Sequence, residues 1–307
     1  MRPRCPSRSA TTCSLPPSAP PASALHLLPG GGAVGAALVT DTRVAGVAFT
    51  GSTATGWKIN RALAARETAI APLIAETGGV NAMIVDATAL PEQVCDDVLA
   101  SAFRSTGQRC SALRLLCLQE DVADKMLDMI AGAAAELKLG DPRDIDVQIG
   151  PVIDAAALAR LNAHVETMKR TAHVRFAGAL PAELAARGHF IAPHVFEVSG
   201  VDAVPQEVFG PILHVCRYRA RDFDALLDSI DATVDHVVAR LGAGNVYINR
   251  NMIGAVVGVQ PFGGNGLSGT GPKAGGPDYL KRFASEQVVS VNSAAAGGNA
   301  SLMTLKD

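Results

Sequence analysis

No CxxC pair occurs in this chain, and its six cysteines, Cys5, Cys13, Cys95, Cys110, Cys117 and Cys216, fall at irregular spacings over 307 residues. That density is too low for a disulfide scaffold, so the thiols are expected to stay reduced, as in a cytoplasm, and no metal site is expected. No uninterrupted apolar run approaches the roughly 18 residues of a membrane span. Positive charge is not in excess: the net charge is -2, with no basic stripe of the kind that holds nucleic acid. No internal repeat is present. What remains is a chain about half apolar, long enough for a sizeable core and two domains, with small-molecule chemistry as its default occupation.

The first 24 residues are rich in Arg, Ser and Pro and poor in acids, which superficially suits a targeting segment. The stretch that follows, LHLLPGGGAVGAALV, is broken by Pro and Gly where a signal peptide needs continuity, so a disordered leader is predicted. From Leu25 short apolar runs alternate with helical spacing, the mark of an α/β protein. A buried strand is predicted over Val44 to Phe49, then a helix over TATGWKINRALAARE and a short strand in PLIAETGG. An amphipathic helix is predicted to run up to Gly107, which places Cys110 just beyond its end. Further helices are predicted in DVADKMLDMIAGAAAELKLG, stopped by Gly140, in AALARLNAHVETMKR and from FDALLDSI onward. A strand is predicted over Val246 to Asn249, and the tail from Val259 reads as glycine-rich and irregular.

Four loops then compete for a role. FTGS at 49–52 joins a strand to a helix, where backbone N–H groups and the positive dipole end suit a pyrophosphate, although taken alone an ordinary tight turn is the plainer reading. AETGG at 75–79 puts Glu76 at a strand end, where partial burial would raise its pKa toward a general base; a cap or a partner for Arg109 is the plainer alternative. Cys95, Cys117 and Cys216 lie in apolar contexts and read as small hydrophobes. Cys110 differs in having Arg109 beside it and Gly107 before it, a loop position where a thiolate is exposed and electrostatically favoured. QEVFGPI and PFGGNGLSG add two loops that composition leaves unexplained.

Taken in order, FTGS, ETGG, GQRCSA, QEVFGP and PFGGNGLSGTGPKAGGP resemble the signature series of the aldehyde dehydrogenase superfamily. The finer wording of AETGGVNAMIVD, SAFRSTGQRCSALR and IGAVVGVQPFGG is similar to the L-glutamate γ-semialdehyde (1-pyrroline-5-carboxylate) dehydrogenase module of bifunctional proline-utilisation flavoproteins. The resemblance implies an aldehyde dehydrogenase-like α/β fold: a disordered leader at 1–24, a partial doubly wound NAD-binding domain at 25–78, a catalytic domain at 79–272, and a tail at 273–307 with possible homo-oligomer contacts. It also implies roles. Cys110 would be the nucleophile and Glu76 the base that activates the hydrolytic water. Gly51 and Ser52 would hold the NAD pyrophosphate, Glu207 the nicotinamide-side ribose, and Phe209 would pack near the nicotinamide. Arg109, Ser111, Gly254 and Ala255 would anchor the substrate carboxylate of an aldehyde, and Phe262 would wall its aliphatic stem.

Two departures from the family pattern are expected to matter. Its first nucleotide-domain strands, an oxyanion asparagine and a ribose lysine would lie upstream of Leu25, and the segment after Thr233 lacks an apolar strand that the family inserts there. Two readings follow beside the enzyme: a truncated, inactive remnant that binds at most a nucleotide or a partner, and a cofactor-free cysteine hydrolase using Cys110 and Glu76. The hydrolase reading leaves FTGS and QEVFGP without a purpose.

Overall fold

The computed structural model describes residues 24–223 and 243–290. The expected leader, the helix predicted from FDALLDSI, the expected strand loss after Thr233, and the end of the tail lie outside the described residues, as do Cys5 and Cys13.

Two sheets are present among the described residues. The smaller pairs β1 (Val47–Thr50) with β2 (Leu73–Glu76) in parallel, Thr50 opposite Glu76. It follows helix α1 (Gly32–Thr40), and α2 (Thr53–Ala64) connects its strands. β1 begins three residues later than the predicted Val44 start and is not fully buried: Val47 and Phe49 are half-buried while Ala48 and Thr50 face outward. One neighbour strand and one covered face give alternation rather than the continuous burial expected.

The larger sheet has the order β3 (Asn81–Val85), β4 (Leu113–Gln119), β7 (Ile212–Tyr218), β6 (His194–Glu197), β5 (His173–Ala177), all parallel except β5 against β6. Helices α3 (Pro91–Phe103) and α4 (Glu120–Ala135) cover one face and α5 (Ala155–Thr171) the other; a short α6 (Ala182–Arg187) is exposed. The central strands β4 and β7 read as continuous apolar runs because both of their faces are packed. Leu116, Leu118, Leu213 and Val215 enter the α3–α4 side, whereas Leu115, Cys117, Ile212 and Cys216 enter the α5 side. Burying side chains of this kind contributes about 1.5–3 kcal/mol each. Cys117 and Cys216 are register partners, with their sulfurs 3.4 Å apart in the sealed core.

Helix ends follow local chemistry. Pro91 occupies the first turn of α3, and Asp154 caps α5 by accepting a hydrogen bond from Ala157 N at 2.6 Å. α4 stops at Ala135, with Glu136 as its C-cap, so Gly140 is not the stop that was expected; the chain leaves the helix through a turn at Glu136 and Leu137, and Leu139 then bridges Ile149, with Gly140 N–H donating to Ile149 O. The predicted strand at Val246–Asn249 does not form. Asn249 has φ 51°, and these residues border a wide cleft with no ladder partner among the described residues. The irregular tail folds back over β2: Thr77 N–H donates to Ser268 O and Thr270 N–H to Ala75 O, while Arg282 reaches Leu73 O at 3.1 Å.

Candidate active site

α3 ends at Phe103, four residues short of the expected Gly107, because Ser105, Thr106 and Gly107 all take left-handed φ values of 54°, 58° and 63°. Such a conformation costs a β-branched residue about 1–3 kcal/mol and persists only where surroundings enforce it. Here the buried Thr106 hydroxyl donates to Gly150 O at 3.1 Å and accepts from Gly150 N at 3.0 Å. At Gly107 a Cβ would collide with the Gly210 carbonyl, so only glycine fits. The chain is thereby thrown into a turn closed by Ala112 N–H donating to Arg109 O at 3.1 Å, with Cys110 and Ser111 at its tip. Asn81 holds the turn from the other side, its Nδ2 donating to Cys110 O at 2.7 Å and Ala112 O at 2.8 Å.

Cys110 is exposed, as expected, whereas Cys95, Cys117 and Cys216 are buried. The electrostatic expectation is corrected. Loss of hydration pushes the Cys110 thiol up, Glu207 and Glu76 add to that, and the N–H groups of Cys110 and Ser111 only partly oppose it. Arg109 does not turn to the sulfur, because its Nε donates to Ser105 Oγ at 2.8 Å.

Glu76 ends β2, half-buried, and burial raises its carboxyl above the usual range against the pull of Gly264 N–H, Lys273 and Arg282. Its Oε2 accepts from Gly264 N at 3.1 Å, which replaces both the helix cap and the Arg109 partner weighed above. Lys273 props the same loop by donating to Gly263 O at 2.5 Å. At Gly263 a Cβ would stand 3.0 Å from Glu76 Oε1, so the glycine leaves the carboxylate room.

Beside Glu76, at the end of the paired strand β1, Gly51 N–H is taken by Glu76 O at 3.1 Å, and a Cβ at Gly51 would stand 2.5 Å from the Phe49 ring. The glycine therefore provides close approach, and the first-turn N–H groups of α2 after Ser52 are the donors left for an anion. Ser52 Oγ itself caps the helix by accepting from Thr55 N at 3.3 Å. Glu207 leans into the space a Cβ would fill at Gly78. Its Oε1 accepts from Arg114 Nη2 at 3.3 Å, and burial raises its carboxyl while Arg114 draws it down. Arg114 also lies over the Phe209 ring, 5.2 Å from its centre.

These groups face one cleft of about 1790 Å³, walled by Gly51, Ser52, Glu76, Arg109, Cys110, Ser111, Glu207, Phe209, Ala255 and Phe262. Gly254 is not part of the wall, although its neighbour Ala255 is. Sequence reasoning missed Arg114, Asn81 and Lys273. Arg114 had a signal, a lone charge inside the apolar run ALRLLCL, whereas the other two carry none. Among the described residues no cluster of three His, Cys, Asp or Glu side chains could hold a metal ion, and no helix is long and apolar enough to cross a membrane.

A cysteine turn and a carboxylate loop facing one cleft of an α/β fold place the chain in a class, and the family comparison agrees: residues 18–289 match the aldehyde dehydrogenase family, to which the chain belongs. Among individual proteins it is similar to the bifunctional protein PutA of Klebsiella aerogenes, at 49% identity over 290 residues, covering 87% of this chain and 22% of that protein. A crystal structure of bifunctional proline utilization A superposes with a TM-score of 0.86 at 57% identity, covering 91% of this chain and 29% of the other. A 1-pyrroline-5-carboxylate dehydrogenase from Thermus, solved with bound NAD, superposes with a TM-score of 0.74 at 34% identity, covering 83% of this chain and 52% of the other. The chain thus spans about a fifth of the PutA relative and about half of the Thermus enzyme.

Proposed function

We propose that the cleft oxidises L-glutamate γ-semialdehyde, the open form of 1-pyrroline-5-carboxylate, to glutamate with NAD, a step of proline breakdown. The observation that carries this reading is the convergence of Cys110 and Glu76 on one cleft with Glu207 and Phe209 beside them. The fit to NAD rests on three features: the α2 N-terminus, the space opened at Gly78, and Glu207, whose Oε1 is held by Arg114 while Oε2 accepts no hydrogen bond among the described residues and suits a ribose hydroxyl. When bound, NAD supplies the hydride acceptor. The Cys110 thiolate adds to the aldehyde carbon, forming a C–S bond and a thiohemiacetal; loss of hydride from that carbon leaves a thioester. Glu76 takes a proton from water, which attacks the thioester, and the C–S bond breaks to release glutamate and the thiolate. Arg109, Ser111 and the backbone at Ala255 anchor the substrate carboxylate and Phe262 covers its stem, all four lining the cleft, whereas Gly254 supplies no part of its wall.

A second reading, a non-catalytic nucleotide-binding remnant, is favoured by the raised Cys110 thiol. One experiment separates the two: a thermal-shift titration with NAD alongside NADH formation from glutamate semialdehyde. Stabilisation with NADH formation supports the enzyme, stabilisation without it supports the remnant, and neither response overturns the cofactor assignment. The domain limits at 78 and 272, self-association through residues 273–307 and a cytoplasmic location belong to the same proposal.

A further inference from the structure

Arg114 is a charged side chain at the second position of the interior strand β4, and it is completely buried. A guanidinium removed from water is costly unless its donors are matched. This one spends them on two loops that are far apart in sequence. Nη2 donates to Arg109 O at 3.0 Å and to Glu207 Oε1 at 3.3 Å, Nη1 donates to Gly210 O at 3.3 Å, and the plane lies over Phe209; Nε has no partner. The Arg109 carbonyl is the oxygen that closes the cysteine turn, and it belongs to the same peptide unit as the Cys110 N–H. A donor on that oxygen fixes the peptide plane and polarises the N–H on its far side. If stability alone were at stake, an apolar residue of similar volume would often serve as well or better, so a cation kept here with one donor unmatched argues for positioning.

We propose that Arg114 is a positioning residue that clamps the Cys110 turn and the 207–210 loop into one unit, setting the nucleophile and its N–H relative to Phe209. The clamp rests on the proposed function only for what Glu207 binds. Lysine cannot reproduce it, because a single ammonium lacks the planar fork that spans both loops.

The test compares the full chain with Arg114→Lys and Arg114→Met, using two readouts that need no nucleotide. Protease nicking between residues 205 and 211 should rise about fivefold or more in both variants, since local opening is no longer opposed by the clamp. The pH midpoint for alkylation of Cys110 by iodoacetamide should move up by about half a unit or more in Arg114→Met, where Glu207 loses its cation, and less in Arg114→Lys. NAD affinity should fall about tenfold in both, with kcat affected more than the KM for aldehyde. Folded variants whose nicking rate and Cys110 profile stay within about twofold of the parent would overturn the proposal. Should neither variant fold, Glu207→Ala, which removes the acceptor of Arg114 Nη2, reads the clamp from its other end, and an unchanged nicking rate there overturns it. Failure of the parent chain to bind NAD would defeat the cofactor assignment alone, because the first two readouts still decide the clamp.

Discussion

Glu76 and Gly264 are 188 residues apart in sequence, yet the Gly264 N–H donates to Glu76 Oε2 at 3.1 Å. The carboxylate is thus held by one backbone donor while burial keeps its proton affinity high, a compromise that suits a base working on a single water. Glu76→Gln preserves an acceptor for Gly264 but cannot take a proton. We expect turnover to drop by about 10²–10⁴ and a thioester to accumulate on Cys110, detectable as added mass on the intact protein after mixing with aldehyde and NAD. Unchanged turnover would remove Glu76 from the chemistry. Activity in the parent should rise with pH through a midpoint above the ordinary carboxylate range, because the base works only when deprotonated.

Among the cysteines of the described residues, Cys110 should react first with limiting iodoacetamide, since Cys95, Cys117 and Cys216 are buried. Its rate should still climb above the pH at which an ordinary thiol has ionised, because burial and two carboxylates hold its proton. Peptide mass mapping across a pH series checks both statements. Earlier labelling of Cys117 or Cys216 would cancel the nucleophile assignment.

Stability should decline in mild acid through His214. Burial in β7, with His164 and the Arg114 charge beside it, lowers its pKa to about 4 against the opposing pull of its Nδ1–H bond to Arg114 O at 3.1 Å, and its neutral Nε2 accepts from His164 Nε2 at 2.8 Å. Between that value and the ordinary 6.5 the unfolded chain binds the proton and the folded chain does not. The contribution is therefore complete above about pH 6.5, is lost as pH falls toward 4, and amounts to roughly 3 kcal/mol. His164 and His194, lowered by the same burial, act in the same direction. Denaturant melts of parent and His214→Gln at pH 7.5 and pH 5 should show a smaller acid loss in the variant. Equal losses would mean that His214 is not the titrating group.

The anchor reading predicts a preference for aldehydes that carry an α-amino carboxylate. Ser111 and Ala255 face the cleft and would pair with a charge that propanal lacks. Glutamate semialdehyde should exceed propanal in kcat/KM by about tenfold or more, as one charge-assisted contact allows. Equal values would discard the anchor and leave the family membership intact.

The elements with the strongest periodicity were legible from sequence. α2, α4 and α5, the strand ending at Glu76 and the exposure of Cys110 all follow from local pattern. What escaped was set by contacts distant in sequence. The left-handed run at Ser105–Gly107 is enforced by Gly150, the Arg109 side chain is diverted by Ser105, and Val246–Asn249 has β-forming residues but no neighbour among the described residues to complete a ladder. Arg114 could have been noticed as a lone charge in an apolar strand, but its partners at 207 and 210 lie over ninety residues on, in the loop that leads into the neighbouring strand β7.

The fold-back of the glycine-rich tail over β2 also dictates an order of assembly. Glu76 leaves the ribosome before its donor Gly264 and the Ser268–Thr270 segment beside it, which follow nearly two hundred residues later. Contacts separated that widely form late, after the more local β3–α3–β4 unit has condensed. A nascent chain therefore carries its cysteine turn well before the Glu76 carboxylate is seated, and under the proposed mechanism the capacity to bind aldehyde through sulfur would precede the capacity to release an acid.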